Sequence, residues 1–141
     1  MGTENTLWKR LEKVKYSGMH LQRVENTCKS GVPDVEGCAG GKQFWLELKA
    51  GPSPKTDCAM VNCEPLKAKQ LKFFRDRINA GGAVWLLYRV GDGVGAVLYL
   101  VNGNDAPGAA PRPTVQWLKK HTQCGPQAGE AMVLFLISRH S

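Results

Sequence analysis

The stretch GVPDVEGCAGGKQFWLELK, residues 31–49, decides how the chain is read. In its second half, Lys42 to Lys49, the residues alternate as a strand requires. Phe44, Leu46 and Leu48 point one way, and Trp45, Glu47 and Lys49 point the other. Its first half, Pro33 to Cys38, reads as a shorter strand, and Ala39-Gly40-Gly41 is a hairpin-type turn between the two. Asp34 and Glu47 are separated by twelve residues, and folding this hairpin brings Asp34 back alongside Glu47. Glu47 and Lys49, two positions apart, share a face. Two carboxylates and one ammonium then converge on one spot.

That arrangement has an electrostatic consequence. Two carboxylates about 4 Å apart repel by about 4 kcal/mol at an effective dielectric near 20. Lys49 offsets part of this, and a hard divalent cation such as Mg2+ offsets more, since it prefers carboxylate oxygens and water. Such a cation can polarise a phosphate oxygen and lower the pKa of a bound water. Lys49 could orient that water or stabilise the charge that develops on phosphorus oxygens. The competing reading is plainer: Asp34 caps a turn, and Glu47 and Lys49 form an exposed cross-strand pair. Glu36, on the face of Asp34 if the strand is regular, and Glu25 are further acidic candidates.

Outward from this hairpin, Thr3 caps a helix running to about Tyr16, with an apolar stripe of Leu7, Leu11 and Val14. Glu4 lies on that stripe, where a buried carboxylate wants a cation; alternatively it is a frayed N-terminal Glu favoured by the helix dipole. His20 to Asn26 reads as a short strand. Gly51 to Asn62 is a loop, and Glu64 to Ala80 a second helix with Pro65 in its first turn. Its stripe is Leu66, Phe73, Phe74 and Ile78. Gln70 falls among them and needs a partner for its amide, either the acidic site or nearby backbone. Gly81-Gly82 leads into Ala83 to Val90, an apolar run expected of a central strand, and Ala96 to Val101 is the next strand. Asn102 to Pro113 reads as a linker-like loop and Thr114 to His121 as a short helix. Ala131 to Ser138 is strand or helix. The order predicts an α/β domain with a central mixed β-sheet flanked by helices.

Composition narrows the function classes. A chain of 141 residues with 43% apolar and 22% charged residues fits one compact domain. No apolar run approaches the roughly 18 residues of a membrane span, and the N-terminus lacks the apolar region of a signal peptide. A cytoplasmic protein with reduced thiols is therefore expected. Nineteen Lys and Arg against twelve Asp and Glu give a net charge of +7, which favours a polyanionic partner. Lys9, Arg10 and Lys13 form one basic group and Lys67, Lys69 and Lys72 another; Lys42 and Lys55 flank the acidic site. Trp8 and Trp45 could stack on bases. A separate possibility is zinc held by Cys58, Cys63, His121 and Cys124.

The ordered motifs resemble the PD-(D/E)xK nuclease superfamily, and within it the small VRR-NUC-like, phage-type and Holliday-junction-resolvase-like endonucleases. The resemblance is carried by Arg23-Val-Glu-Asn26, Gly31-Val-Pro-Asp34, Phe44 to Lys49, the helix with Gln70, and the Gly81-Gly82 turn. It covers about residues 1–100; beyond about 105 the chain matches nothing recognisable. It implies a restriction-endonuclease-like core and Mg2+ or Mn2+ bound by Asp34, Glu47 and the backbone carbonyl of Leu48. It implies Lys49 beside the attacking water, Gln70 at the site, and Glu4 (or Glu12) as a helix-borne acid. The expectation is one nuclease domain over 1–141, with a core of about 1–101, a 102–113 loop and a 114–141 extension. It would be a DNA endonuclease acting on branched or structured DNA, commonly as a homodimer. A nuclease-like fold that binds nucleic acid without cutting is the alternative.

Overall fold

A computed structural model describes residues 3–24 and 31–141. Glu25 therefore lies outside the described residues, as does the end of the first expected strand. The elements are α1 (Glu4–Val14), β1 (Met19–Arg23), β2 (Val35–Ala39), β3 (Lys42–Gly51), α2 (Ala68–Asn79), β4 (Ala83–Val90), β5 (Val97–Asn102), α3 (Ala106–Ala109), α4 (Val115–His121) and α5 (Glu130–His140).

The five strands form one sheet in the order β1-β2-β3-β4-β5. β3 and β4 are parallel and every other pair is antiparallel. The β2–β3 turn is Gly40-Gly41, with φ of +59° and +78° at its two central residues. Only glycine takes two such values in succession without strain, and this twist suits a two-residue hairpin. The pairing Val35↔Leu46 and Ala39↔Lys42 follows from it. The parallel step from β3 to β4 needs a crossover, which α2 supplies.

The sheet separates two apolar cores. On one face α1 and α5 cover Phe44, Leu46 and Leu48 of β3 and Trp85 and Leu87 of β4. On the other, α2, α3, α4 and the segment around Val61 to Leu66 cover Val84, Leu86 and Tyr88, with Trp45 packed at the margin. The alternation in Lys42 to Lys49 therefore divides two interiors, and Glu47 and Lys49 face the second one. Both are buried, at 4% and 3% exposure.

Several boundaries differ from expectation. Val14, placed on the buried stripe of α1, is 38% exposed, because the helix ends there and turns away. α2 begins at Ala68, not Glu64. The Leu66 N–H bonds the Pro111 carbonyl, which holds the Pro65-Leu66 segment in a non-helical path. The expected 102–113 loop contains a 3-10 turn at Gly103–Asp105 and the short α3. Residues 131–138 are helical, with Val133, Leu134, Leu136 and Ile137 buried. Both cores take residues from beyond 101, so the tail is part of the packed interior. The outer edge of β5 is itself covered: Leu98 exchanges both backbone hydrogen bonds with Gln127, and Gln123 N–H bonds the Leu100 carbonyl. Covering an edge in this way blocks unwanted strand pairing. Among the described residues no helix is long and apolar enough to cross a membrane.

Candidate active site

Asp34 precedes β2 by one residue and is not within the strand as expected. Continuing the β2–β3 register one step beyond Val35↔Leu46 places it opposite Glu47. Its Oδ2 accepts the Leu48 backbone N–H at 2.9 Å, so the carboxylate occupies the rung where β2 would otherwise have continued. Two backbone contacts fix the approach. The Val24 N–H bonds the Asp34 carbonyl at 2.7 Å. Gly31, at φ +98°, lies so close to α2 that a Cβ there would sit 2.6 Å from the Lys69 carbonyl oxygen.

Glu47 is held from two sides. Lys49 Nζ lies 3.4 Å from its Oε2, and the Gln70 side-chain amide donates to the same oxygen at 3.0 Å. Gln70 also accepts the Lys67 N–H at 2.9 Å, at the start of α2. The two sequence alternatives for Gln70, site and local backbone, are thus both realised by one side chain. Glu47 Oε1 is buried with no partner among the described residues. Burial first, and the adjacent Asp34 carboxylate second, push the Glu47 carboxyl up from 4.5 to about 8, against the opposing pull of Lys49. The Lys49 ammonium, besides Glu47, makes a long 3.5 Å contact with the Pro65 carbonyl. The ammonium has three donors, so among the described residues these two contacts leave one for a ligand.

The reading of Glu47 and Lys49 as an exposed cross-strand pair does not hold, since both are interior. Their burial follows from α2 crossing over β3, which period-two alternation alone does not show. Glu4 lies in the first turn of α1 and lines a cleft with Ala50, Gly51, Cys63, Glu64 and Arg112, at the C-terminal end of β3. The cleft starts one residue past Lys49, but Glu4 does not join the carboxylate pair: among the described residues no three His, Cys, Asp or Glu side chains come together as a metal cluster. Glu36 turns to Gln43 at 2.8 Å, further along the hairpin. Glu12 is on the exposed side of α1. The zinc grouping does not form: Cys58 and Cys124 are exposed, Cys63 is buried, and His121 is engaged with the Trp117 carbonyl.

The basic residues divide in the same way. Arg10 is committed to Glu130 of α5 at 2.7 Å, and Lys9 and Lys13 are exposed on α1, across the sheet from the site. Lys42 sits at the hairpin and Lys55 in the loop after β3, both exposed. Lys69 is exposed on α2, next to Gln70. Trp8 is core. Two neighbours were missed by sequence reasoning. Tyr88, paired in register with Lys49, is buried with its hydroxyl unpartnered among the described residues, and burial, with the charges of Cys63 and Glu47 adding to it, pushes its pKa far up. Arg112 donates to the Cys63 carbonyl at 2.7 Å beside Glu4. Tyr88 reads from sequence as one more apolar strand residue, and Arg112 lies in a stretch without periodicity, so neither carries a local signal.

No family model matches the chain, and no curated protein matches it by sequence. Among solved structures it is similar to the 1.6 Å structure of Hjc from Archaeoglobus fulgidus, a Holliday junction resolvase from an archaeal hyperthermophile. The TM-score is 0.55 at 13% identity, covering 95% of this chain and 97% of that one. The likeness shows the fold: a mixed five-stranded α/β sheet flanked by helices, of the restriction-endonuclease-like kind. Coverage of 95% takes in most of the residues beyond 105, where the sequence alone offered no resemblance.

Proposed function

We propose that this chain is a divalent-metal-dependent endonuclease that hydrolyses phosphodiester bonds of branched or structured DNA. The observation that carries the reading is the side-by-side pair of half-buried Asp34 and buried Glu47, with Lys49 against Glu47 and the Glu47 Oε1 left without a partner among the described residues. An acidic pair of this kind inside a protein of net charge +7 serves a pure polyanion binder poorly, because it repels phosphate. It suits a cation that bridges carboxylate and phosphate.

The donor set fits Mg2+ or Mn2+, which take oxygen ligands. Asp34, Glu47 and the Leu48 carbonyl would hold the ion. Leu48 directs its N–H toward the Asp34 side, and in an extended strand the carbonyl of the same residue shares that side. When bound, the ion would polarise the scissile phosphate and acidify a water. The protein's own groups do the rest. Gln70 fixes the orientation of the Glu47 carboxylate. Lys49, desolvated and held at two points, directs its remaining N–H to the water or to a phosphate oxygen as negative charge builds. The role of Glu4 at the adjoining cleft would be to order water near the metal.

Fold likeness to a Holliday junction resolvase supports the branched-DNA preference, and the motif resemblance supports the narrower VRR-NUC-like, phage-type placement. Homodimer formation, with cleavage of paired strands in the cytoplasm, completes the proposal. The exposed Met132 and Phe135 of α5 are apolar surface available for it. The test is a panel of labelled four-way junction, flap and linear duplex with Mg2+, Mn2+ or EDTA. Metal-dependent cutting, strongest on the junction, is expected. Binding without cutting of any substrate would mean that the fold serves as a nucleic-acid-binding module.

A further inference from the structure

Arg77 is built into the surface beside the site. Its guanidinium carbon lies 5.1 Å from the centre of the Phe73 ring and 5.6 Å from that of Trp45. The two rings meet edge to face at 5.5 Å. The aliphatic stem of Arg77 rests on Gly82, where any Cβ would come within 2.7 Å of Arg77 Cδ. Glycine at 82 is thus the only residue that leaves room for this placement. Stacking on aromatic faces fixes a guanidinium plane while leaving its N–H fork outward. The adjacent Asp76 is occupied by Lys72 at 2.6 Å and Arg75 at 3.6 Å. Arg77 itself is exposed. The Trp45 indole N–H is buried without an acceptor among the described residues.

The placement relative to the acidic pair gives this cluster its meaning. Trp45 is two residues before Glu47 on the same face of β3, and Arg77 is two turns beyond Gln70 on α2. Strand rise puts Trp45 roughly 7 Å from Glu47, and helix rise puts Arg77 roughly 10 Å from Gln70. Both tracks run in one direction, because α2 returns antiparallel to β3 before Ala83 pairs with Phe44. A concave surface along this side of α2 is lined by Lys69, Lys72, Phe73, Asp76, Arg77 and Ala80.

We infer that Arg77, seated on Trp45, Phe73 and Gly82, grips a backbone phosphate close along the same strand to the phosphate held at Asp34 and Glu47. The α2 face is then the track of the cut strand, with Lys69 as a weaker flanking contact. This rests on the nuclease reading for its register but not for the contact itself.

The test measures binding of a four-way junction by fluorescence anisotropy in EDTA, over a series of salt concentrations, for the wild-type protein, Arg77→Met and Arg77→Lys. Arg77→Met keeps an unbranched stem for packing and lacks the fork. It should keep the melting temperature, lose about tenfold in affinity and lower the salt slope by about one. Arg77→Lys should restore the slope but not the affinity, since an ammonium has no planar fork. A folded Arg77→Met with wild-type affinity and slope overturns the inference, as does full affinity in Arg77→Lys. Cleavage with Mg2+ is scored separately. An enzyme that cuts but ignores Arg77 defeats only the inference, and one that needs Arg77 to bind but never cuts defeats only the nuclease reading.

Discussion

At the scale of the residue, the site is an acid pair whose charge the protein does not fully balance. Lys49→Ala should lower cleavage by about 10²- to 10³-fold, the range seen when one transition-state donor is removed; DNA affinity in EDTA should be largely kept, and equal activity would remove Lys49 from the mechanism. Asp34→Asn should weaken Mn2+ binding, and titration calorimetry showing unchanged affinity would exclude it as a ligand. Glu47 gives a pH signature. Its carboxyl, ordinarily at 4.5, is at about 8 in the folded metal-free protein, from burial and then from Asp34. Between those values the folded state keeps a proton that the unfolded state has lost. Stability of the metal-free protein therefore falls as pH rises from about 4.5 to about 8, and is fully present only below that window. Melting in EDTA across this range should show the decline, and Glu47→Gln should flatten it while abolishing cleavage. Asp34, Glu47 and Lys49 were legible in sequence because strand alternation and a Gly-Gly turn fix their common face. Tyr88 and Arg112 were not, since the first is positioned by parallel pairing and the second by packing of a distant segment.

At the scale of the element, α2 acts on the site through two backbone-level contacts. Its first turn shares the Gln70 side chain with Glu47, and its Lys69 carbonyl touches Gly31. Gly31→Ala would add a methyl at 2.6 Å from that carbonyl and force a non-glycine residue to φ +98°. A loss of about 1–3 kcal/mol is expected, read by urea melting, together with reduced cleavage as Asp34 is displaced. A variant as stable and active as the parent would show that the Gly31 approach to α2 is not required. The helix itself was legible from its apolar stripe, but its start was not. Pro65 fits a first helical turn, and only the bond from Leu66 to Pro111, made by chain some forty-five residues away, draws that segment out of the helix. The 131–138 run was undecidable for a related reason: it is apolar on most sides, and its helical form is set by the sheet face it covers.

At the scale of the whole molecule, β3 lies third of five strands, between two cores, and the functional groups stand on its inner rows. The C-terminal residues complete this arrangement. Ending the chain before Glu130 would remove four buried side chains of α5, Val133, Leu134, Leu136 and Ile137, and bare the core they cover. At about 1.5–3 kcal/mol each, their burial is of the order of a domain's entire stability. The shortened chain should lose its cooperative thermal transition by circular dichroism, and a sharp transition near the parent's would show that α5 is dispensable. Fold class was readable because the strand and helix periods are strong over residues 1–101. The tail was not, because its contribution is made through contacts with α1, as in Arg10–Glu130, and with the rim of β5. A further property follows from the way the seam between β2 and β3 is finished. Its last rung is a carboxylate, not a peptide group. A peptide group cannot turn without dragging its neighbours, whereas a carboxylate swings about one or two single bonds. That rung can thus be vacated and refilled by one side-chain rotation, with every strand still paired.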